Sequence, residues 1–318
     1  MARVLISDNL SPRAIELFKQ ARIEADVRVG LSESDLIAII GDYDALAIRS
    51  GTKVTAKVLA AATKLKVVGR AGIGVDNVDV AAATARRVVV MNTPFGNSVT
   101  TAEHAISMIM ALARQIPAAN SSTHAGKWQK NKYMGVELTG KVLGVIGCGN
   151  IGSLVAERAK GLKMRVLVCD PVVTFEKVQS LGVEKVELDE LLASSDFITL
   201  HTPLTDQTRY ILDEVSLSKT KRGVRIVNCA RGGLINERDL KKAIESVHVA
   251  GAALDVFEQE PAINNPLFGL EQVVVTPHLG ASTHEAQENV AVQVAEQIAD
   301  FLNHGSVVNA VNTPALFN

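Results

Sequence analysis

The chain has 318 residues, with 47% hydrophobic, 4% aromatic and 21% charged side chains and a formal net charge of −1. That near-neutral balance excludes a global field that would gather nucleic acid or an anionic membrane, and no apolar run approaches the roughly 20 residues a membrane-spanning helix needs. The length exceeds one ordinary core, so two domains are expected; Met1-Ala-Arg runs straight into Val4-Leu-Ile with no cleavable leader pattern, and a soluble, cytoplasmic protein is expected.

Short β-branched runs alternate with helical stretches from the first residues. Val4–Ser7, Ala25–Val29, Ala45–Arg49, Val67–Gly69 and Val88–Met91 read as strands. Pro12–Gln20, Glu33–Ile40 and Ala56–Ala62 read as helices, with Ser11 and Ser32 as N-caps. Alternation of this kind builds a parallel sheet covered by helices. A longer apolar helix follows, roughly Thr101 to Gln115, with small residues suited to close packing. Pro117–Gly140 then breaks the alternation; it is polar and carries the sole tryptophan, Trp128, beside Lys127, Lys130, Lys132 and Tyr133. An excursion of that length from a compact domain marks a functional or subunit-contact segment.

The alternation resumes at Val142 with a buried-looking strand and then Gly147-Cys-Gly149-Asn-Ile-Gly152, the G-x-G-x-x-G spacing of a dinucleotide turn. The first glycine allows the turn, the second lets the backbone approach a pyrophosphate, and the third lets helix and strand pack closely. The next strand, Arg165–Cys169, ends at Asp170, where a carboxylate accepts bonds from a ribose diol and repels a 2′-phosphate. The cofactor expected is therefore NAD rather than NADP. Further strands near Phe197–Leu200, Val224–Asn228, Ala250–Asp255 and Val273–Thr276 give a second parallel sheet. Ser282-x-x-Glu285 reads as a capping box, opening a helix with Val290, Val294, Ile298 and Phe301/Leu302 on one stripe. Cys148, Cys169 and Cys229 lack metal-type spacing, so reduced core thiols and no metal are expected.

Three later segments carry polar groups at strand ends, where open α/β sheets place ligands. Arg231 follows an apolar strand and precedes Gly232-Gly233; its planar fork can clamp a carboxylate. Asp255, Glu258 and Glu260 lie just beyond the next strand, and any one of them can orient a histidine or simply face solvent. His278 follows the last strand and can exchange a proton with a substrate hydroxyl near neutral pH.

Taken together, Arg231 in NCARGG, Glu260 in ALDVFEQEP and His278 in TPHLGAST resemble the catalytic motifs of the D-isomer-specific 2-hydroxyacid dehydrogenases. AIRSGTKVT (47–55), GRAGIGVDNVD (69–79), NTPFGNSVTTAEH (92–104), ARQIPAAN (113–120) and GKWQKNKYMGVELTGK (126–141) extend the likeness over nearly the whole chain, and within the family it is most similar to the phosphoglycerate-oxidising members. The resemblance implies two Rossmann-like or flavodoxin-like doubly wound parallel-sheet domains with a cleft between them. Residues 1–98 and 289–318 would form a discontinuous substrate domain and 99–288 the NAD domain. It also implies cofactor contacts at Asn150, Ile151, His201, Thr202, Pro203, Cys229, Ala230, Asp255 and Gly280, alongside the glycine turn and Asp170. Arg49, Ser50, Gly74, Val75 and Asn97 would line the substrate side with Arg231 and His278.

The activity implied is NAD-dependent oxidation of a phosphorylated 2-hydroxy acid, with glyoxylate or hydroxypyruvate reduction, or the activity of another D-2-hydroxyacid dehydrogenase, as the alternative. A different class, an NAD-dependent sensor or corepressor, is opposed by the joint presence of Arg231, Glu260 and His278. Arg49, Lys53 and the Lys127–Lys132 cluster are candidates for a phosphate, and the 100–140 region for a homodimer contact. Ile73 departs from relatives that carry a hydroxyl there, so one polar cofactor contact is lost. Such relatives often continue into regulatory domains after a segment like VVNAVNTPAL; this sequence stops at Asn318, so serine feedback is not expected.

Overall fold

A computed structural model describes residues 1–312, and two compact units emerge in it. Of the expected 289–318 segment, residues 313–318 lie outside the described residues. Unit 1 begins with β1 (Arg3–Ile6), α1 (Pro12–Gln20), β2 (Glu24–Val27), α2 (Glu33–Ile39), β3 (Ala45–Ile48), α3 (Ala56–Ala61), β4 (Val67–Arg70), α4 (Val80–Ala85) and β5 (Val89–Asn92). Its helices start where side chains satisfy the otherwise unpaired first-turn N–H groups. Ser11 accepts from Arg13 N–H with Pro12 just inside α1, Ser32 and Asp35 form a reciprocal capping box on α2, and Thr55 and Asp79 cap α3 and α4. The five strands are all parallel in the order β2-β1-β3-β4-β5.

Unit 2 runs from Ser98 to Gly280. It opens with α5 (Ser98–Arg114) and α6 (Ile116–His124), so a helix occupies the start of the expected excursion before the chain turns irregular. It continues through β6 (Val142–Ile146), α7 (Asn150–Gly161), β7 (Arg165–Cys169), α8 (Phe175–Leu181), β8 (Glu184–Lys185), α9 (Leu188–Ser194) and β9 (Phe197–Leu200). The rest is α10 (Glu214–Ser218), β10 (Val224–Asn228), α11 (Glu237–Glu245), β11 (Val249–Leu254) and β12 (Val273–Val275). This seven-stranded parallel sheet has the order β12-β11-β10-β9-β6-β7-β8, the doubly wound arrangement in which strand order reverses at β6/β9. Two cores flank it, one built with Ala105, Ile109, Val145 and Val155, the other with Ile146, Ile198, Leu200 and Leu240.

The chain re-enters unit 1 at Ala281 and forms α12 (His284–His304). Val290, Val294 and Ile298 bury the expected stripe in the core with Val4, Ile6 and Phe18. The cap differs from the Ser282 reading: Thr283 accepts Ala286 N–H and starts the helix one residue later. Residues 281–288 lie in unit 1, eight residues ahead of the anticipated crossing, because α12 is continuous and packs as one body on α1 and β4. Beyond α12, Ala310 bridges Met91, and Asn312 bonds Val90 N–H and Val88 C=O along β5. Among the described residues no helix is long and apolar enough to cross a membrane.

Candidate active site

Strand register places the expected motifs in one row. Ile146 pairs with Cys169 and Leu200, Asn228 with Leu200 and Leu254, and Leu254 with Val275. The residues that follow these strands, Gly147, Asp170, His201, Cys229, Asp255 and Thr276, therefore all emerge at the carboxyl edge of the seven-stranded sheet, the edge where such sheets bind ligands.

At the reversal point the three glycines do separate jobs. Gly147 has φ 90 and lies so close to the neighbouring strand end that a Cβ would sit 2.6 Å from His201 C=O. A Cβ on Gly152 would sit 2.0 Å from Gly147 C=O, so α7 and the turn touch through backbone. At Gly149, the N-cap of α7, a Cβ would meet nothing within 4 Å. That open face at the start of a 12-residue helix is what a pyrophosphate needs, because the helix end presents N–H groups and a partial positive charge.

Asp170 is nearly buried, and its carboxylate holds the turn: Oδ2 accepts Cys148 N–H at 2.6 Å, and Oδ1 accepts the N–H groups of Val172 and Val173 at 2.8 and 3.0 Å. His201 bonds Thr199 through Nε2 at 2.9 Å. Its Nδ1 has no partner among the described residues, and burial pushes its pKa down to about 4. A neutral imidazole beside the glycine turn with an orphaned nitrogen fits a dinucleotide that would supply its partner. Thr202 is half-buried and Pro203 exposed, both in the loop after β9. Asn150 and Ile151 open α7. Burial raises the Cys148, Cys169 and Cys229 thiols, and all three cysteines are free.

The catalytic candidates gather at the other end of the row. Asn228, 2% exposed, organises the turn after β10: its Oδ1 accepts Ala230 N–H and its Nδ2 donates to Arg231 C=O. Arg231 also donates through Nη1 to Ala230 C=O at 2.7 Å, and its charge is near enough to oppose protonation of His278. Glu260 Oε2 lies 2.7 Å from His278 Nδ1, while its Oε1 accepts Phe257 N–H. That hydrogen bond, outweighing burial, raises the His278 pKa above its ordinary value; the same bond helps hold the Glu260 carboxyl below its own. Since Nδ1 is committed to the carboxylate, Nε2 is the ring nitrogen left to exchange a proton.

Asp255 is fully buried and serves the histidine's backbone. Its Oδ1 accepts Thr276 Oγ1–H and Leu279 N–H, and its Oδ2 accepts Gly280 N–H at 2.8 Å. His278 sits at φ 56, a conformation that costs a side-chain-bearing residue energy unless its surroundings fix it. The N–H groups of the two following residues converge on Asp255 and supply that fixing. His104 on α5 adds Nε2 3.3 Å from Asp255 and 3.2 Å from Thr276 Oγ1. Sequence reasoning missed Asn228, Thr276 and His104 as organisers; His104 lies 151 positions before Asp255, and no local pattern announces that contact.

In unit 1 the substrate-side candidates follow strands of the five-stranded sheet. Arg49 and Ser50 follow β3, Gly74 and Val75 follow β4, and Asn97, largely buried, follows β5. Parallel strands put all of them at that sheet's carboxyl edge. Asp8, after β1, was not singled out, yet it builds this edge: Oδ2 accepts Arg49 N–H at 2.6 Å and Thr52 N–H at 3.1 Å, and Oδ1 accepts Thr52 Oγ1–H. Burial lowers the Arg49 pKa from its usual value. Of the lysine cluster, Lys132 is engaged by Glu271 at 2.9 Å, which accounts for one of its charges structurally.

Known proteins match this arrangement. The family model for the D-isomer specific 2-hydroxyacid dehydrogenase NAD binding domain matches residues 106–280. D-3-phosphoglycerate dehydrogenase of Synechocystis sp. is 49% identical over 316 residues, covering 99% of this chain and 57% of that protein. The chain thus spans 57–60% of the length of such curated relatives. Among solved structures, the TT0316 protein of Thermus thermophilus superposes with a TM-score of 0.90 at 31% identity, covering 97% of this chain and 99% of that one. A glyoxylate reductase from Paecilomyes thermophila also reaches 0.90 at 30% identity, covering 99% of both chains.

Proposed function

The chain belongs to the D-isomer specific 2-hydroxyacid dehydrogenase family and contains its NAD binding domain, and from that premise we propose that it oxidises D-3-phosphoglycerate to 3-phosphohydroxypyruvate, the first step of L-serine biosynthesis. The observation that carries the chemistry is the 2.7 Å Glu260–His278 pair, with the Arg231 guanidinium close enough to act on the same imidazole. The curated relatives support the substrate.

His278 Nε2 takes the proton of the 2-hydroxyl during oxidation and returns it in reduction. Glu260 fixes the Nδ1–H tautomer and stabilises the imidazolium formed. Arg231 clamps the substrate carboxylate through two parallel N–H bonds and fixes which carbon presents its hydrogen. NAD, held by the Gly147–Gly152 turn, the α7 N-terminus and Asp170, supplies the hydride acceptor when bound. Asp255 holds the 276–280 segment, and His201, Thr202, Pro203, Cys229, Ala230 and Gly280 belong to the cofactor side of the same edge. In unit 1, Arg49, Ser50, Gly74, Val75 and Asn97 are the substrate-binding set, with Arg49 the leading phosphate ligand.

Steady-state NADH formation with 3-phosphoglycerate, D-glycerate and D-lactate tests this. A kcat/KM at least tenfold higher for the phosphorylated acid is expected. Faster NADH-driven reduction of glyoxylate or hydroxypyruvate would instead favour the reductase reading, which the glyoxylate reductase likeness supports.

The proposal includes a homodimer formed through residues 100–140. Within it Met110 and Ile116 are exposed, and Trp128 and Met134 are 87% and 75% exposed. Apolar side chains collected in one region are what a subunit interface covers. A cavity of about 490 Å³ adjoins this region at the amino ends of β10, β11 and β12, away from the catalytic edge, with Gln115, Tyr133 and Arg225 in its wall.

A further inference from the structure

Glu237, the first residue of α11, lies six positions after Arg231, and Glu258 lies two positions before Glu260. The two glutamates meet in a reciprocal contact. Glu237 N–H donates to Glu258 Oε1 at 3.1 Å, and Glu258 N–H donates to Glu237 Oε1 at 2.8 Å. Glu237 is 7% exposed, and its second oxygen accepts Asn265 Nδ2–H at 2.7 Å. The second oxygen of Glu258 accepts the Tyr210 hydroxyl at 3.1 Å. Tyr210 in turn donates its backbone N–H to Gly233 C=O, in the turn that follows Arg231. Between these straps the two segments touch directly: a Cβ on Gly232 would lie 1.7 Å from Phe257 C=O.

We propose that Glu237 and Glu258 are positioning residues, whose crossed hydrogen bonds lock the segment carrying Arg231 to the segment carrying Glu260 and so hold the Glu260–His278 pair in register with the arginine. An ordinary helix cap needs less than this. Asn236 already satisfies Arg238 and Asp239 N–H, so Glu258 completes the first turn of α11 from another loop. A carboxylate there is also favoured by the helix dipole. Keeping Glu237 enclosed carries a cost, since burial and the facing Glu258 raise its pKa. Glu260 depends on the loop being fixed, because its Oε1 is tied to Phe257 N–H, next to the clasp. A loosened 257–260 segment weakens the 2.7 Å bond to His278 and withdraws the interaction that favours the imidazolium.

This role rests on the catalytic reading above, and the test separates the two. The charged and titratable groups facing His278 are Glu260, Asp255 and Arg231, and those facing the clasp are Tyr210 and Arg209. Glu258→Ala is the primary variant because Glu258 is exposed and its removal leaves α11 with its Asn236 cap; Glu237→Ala is the second. Each is expected to lower kcat on the order of tenfold to a hundredfold, to leave the NADH dissociation constant unchanged, and to move the His278 titration to lower pH. Glu258→Gln, whose amide oxygen still accepts Glu237 N–H, is expected to restore the wild-type limb.

The titration is read twice, in the pH–rate profile and by NMR of the His278 imidazole, assigned by difference from His278→Asn. A wild-type chain that turns over no 2-hydroxy acid overturns the catalytic reading, while the NMR shift still judges the clasp. An unmoved His278 titration in Glu258→Ala, with only thermal stability reduced, overturns the positioning role.

Discussion

At the scale of single residues, His278 joins a raised pKa to a backbone at φ 56. Removing the proposed base by His278→Asn should cost about 10²–10⁴-fold in kcat and leave NADH affinity intact, as measured by fluorescence titration; near-normal turnover would remove the histidine from the mechanism. Glu260→Gln removes the partner that favours the imidazolium, so the oxidation profile should shift to lower pH. Stability follows the same pair. A histidine with a raised folded pKa adds stability that is complete below its unfolded value of about 6.5 and is lost as pH rises through the folded value. Glu260, lowered, adds stability above its unfolded value of about 4.3 that is lost as pH falls. The melting temperature of Glu260→Gln should therefore fall furthest between roughly pH 4.5 and 6.5, and the deficit should shrink toward pH 9. A uniform deficit across pH would show that packing, not ionisation, is what the substitution removes.

At the scale of elements, the β6 turn and α7 separate folding from binding. A methyl group at Gly152 meets backbone at 2.0 Å, whereas one at Gly149 meets nothing. Gly152→Ala should therefore cost about 1–3 kcal/mol or more through overpacking, lower the melting temperature of the protein and abolish NADH binding with it. Gly149→Ala should melt as the wild type does yet bind NADH at least tenfold more weakly, because its methyl group occupies the space the pyrophosphate needs. Equal NADH affinities for Gly149→Ala and wild type would place the phosphates elsewhere. Asp170 extends the argument to the next strand. Three backbone N–H groups fix its carboxylate before any ribose arrives, so the acid is already held in place by β7 and the loop that follows.

At the scale of the whole molecule, the chain leaves unit 1 at Asn97, completes unit 2 and re-enters unit 1 at Ala281. The proposed dimer makes a prediction at this level: sedimentation of wild type should give twice the chain mass, and Trp128→Glu with Met134→Lys should give the monomer, since large apolar anchors dominate such interfaces. A wild-type monomer at micromolar concentration would refute the contact. Two parallel sheets, the dinucleotide turn and its aspartate were legible in the sequence because each rests on a local rule: short continuous apolar strands alternating with helices, the sterics of a missing Cβ, an acid at a strand end. Arg231 and His278 stood out by the same strand-end logic. The division of labour among the acids after β11 did not. Residue types and spacing left Asp255, Glu258 and Glu260 interchangeable, and only the family resemblance favoured one. The fold gave Glu260 to the imidazole, Asp255 to the backbone around it and Glu258 to Glu237. A carboxylate's partner is decided by ångström-scale placement of strand ends distant in sequence, and that placement exists only once the sheet has formed.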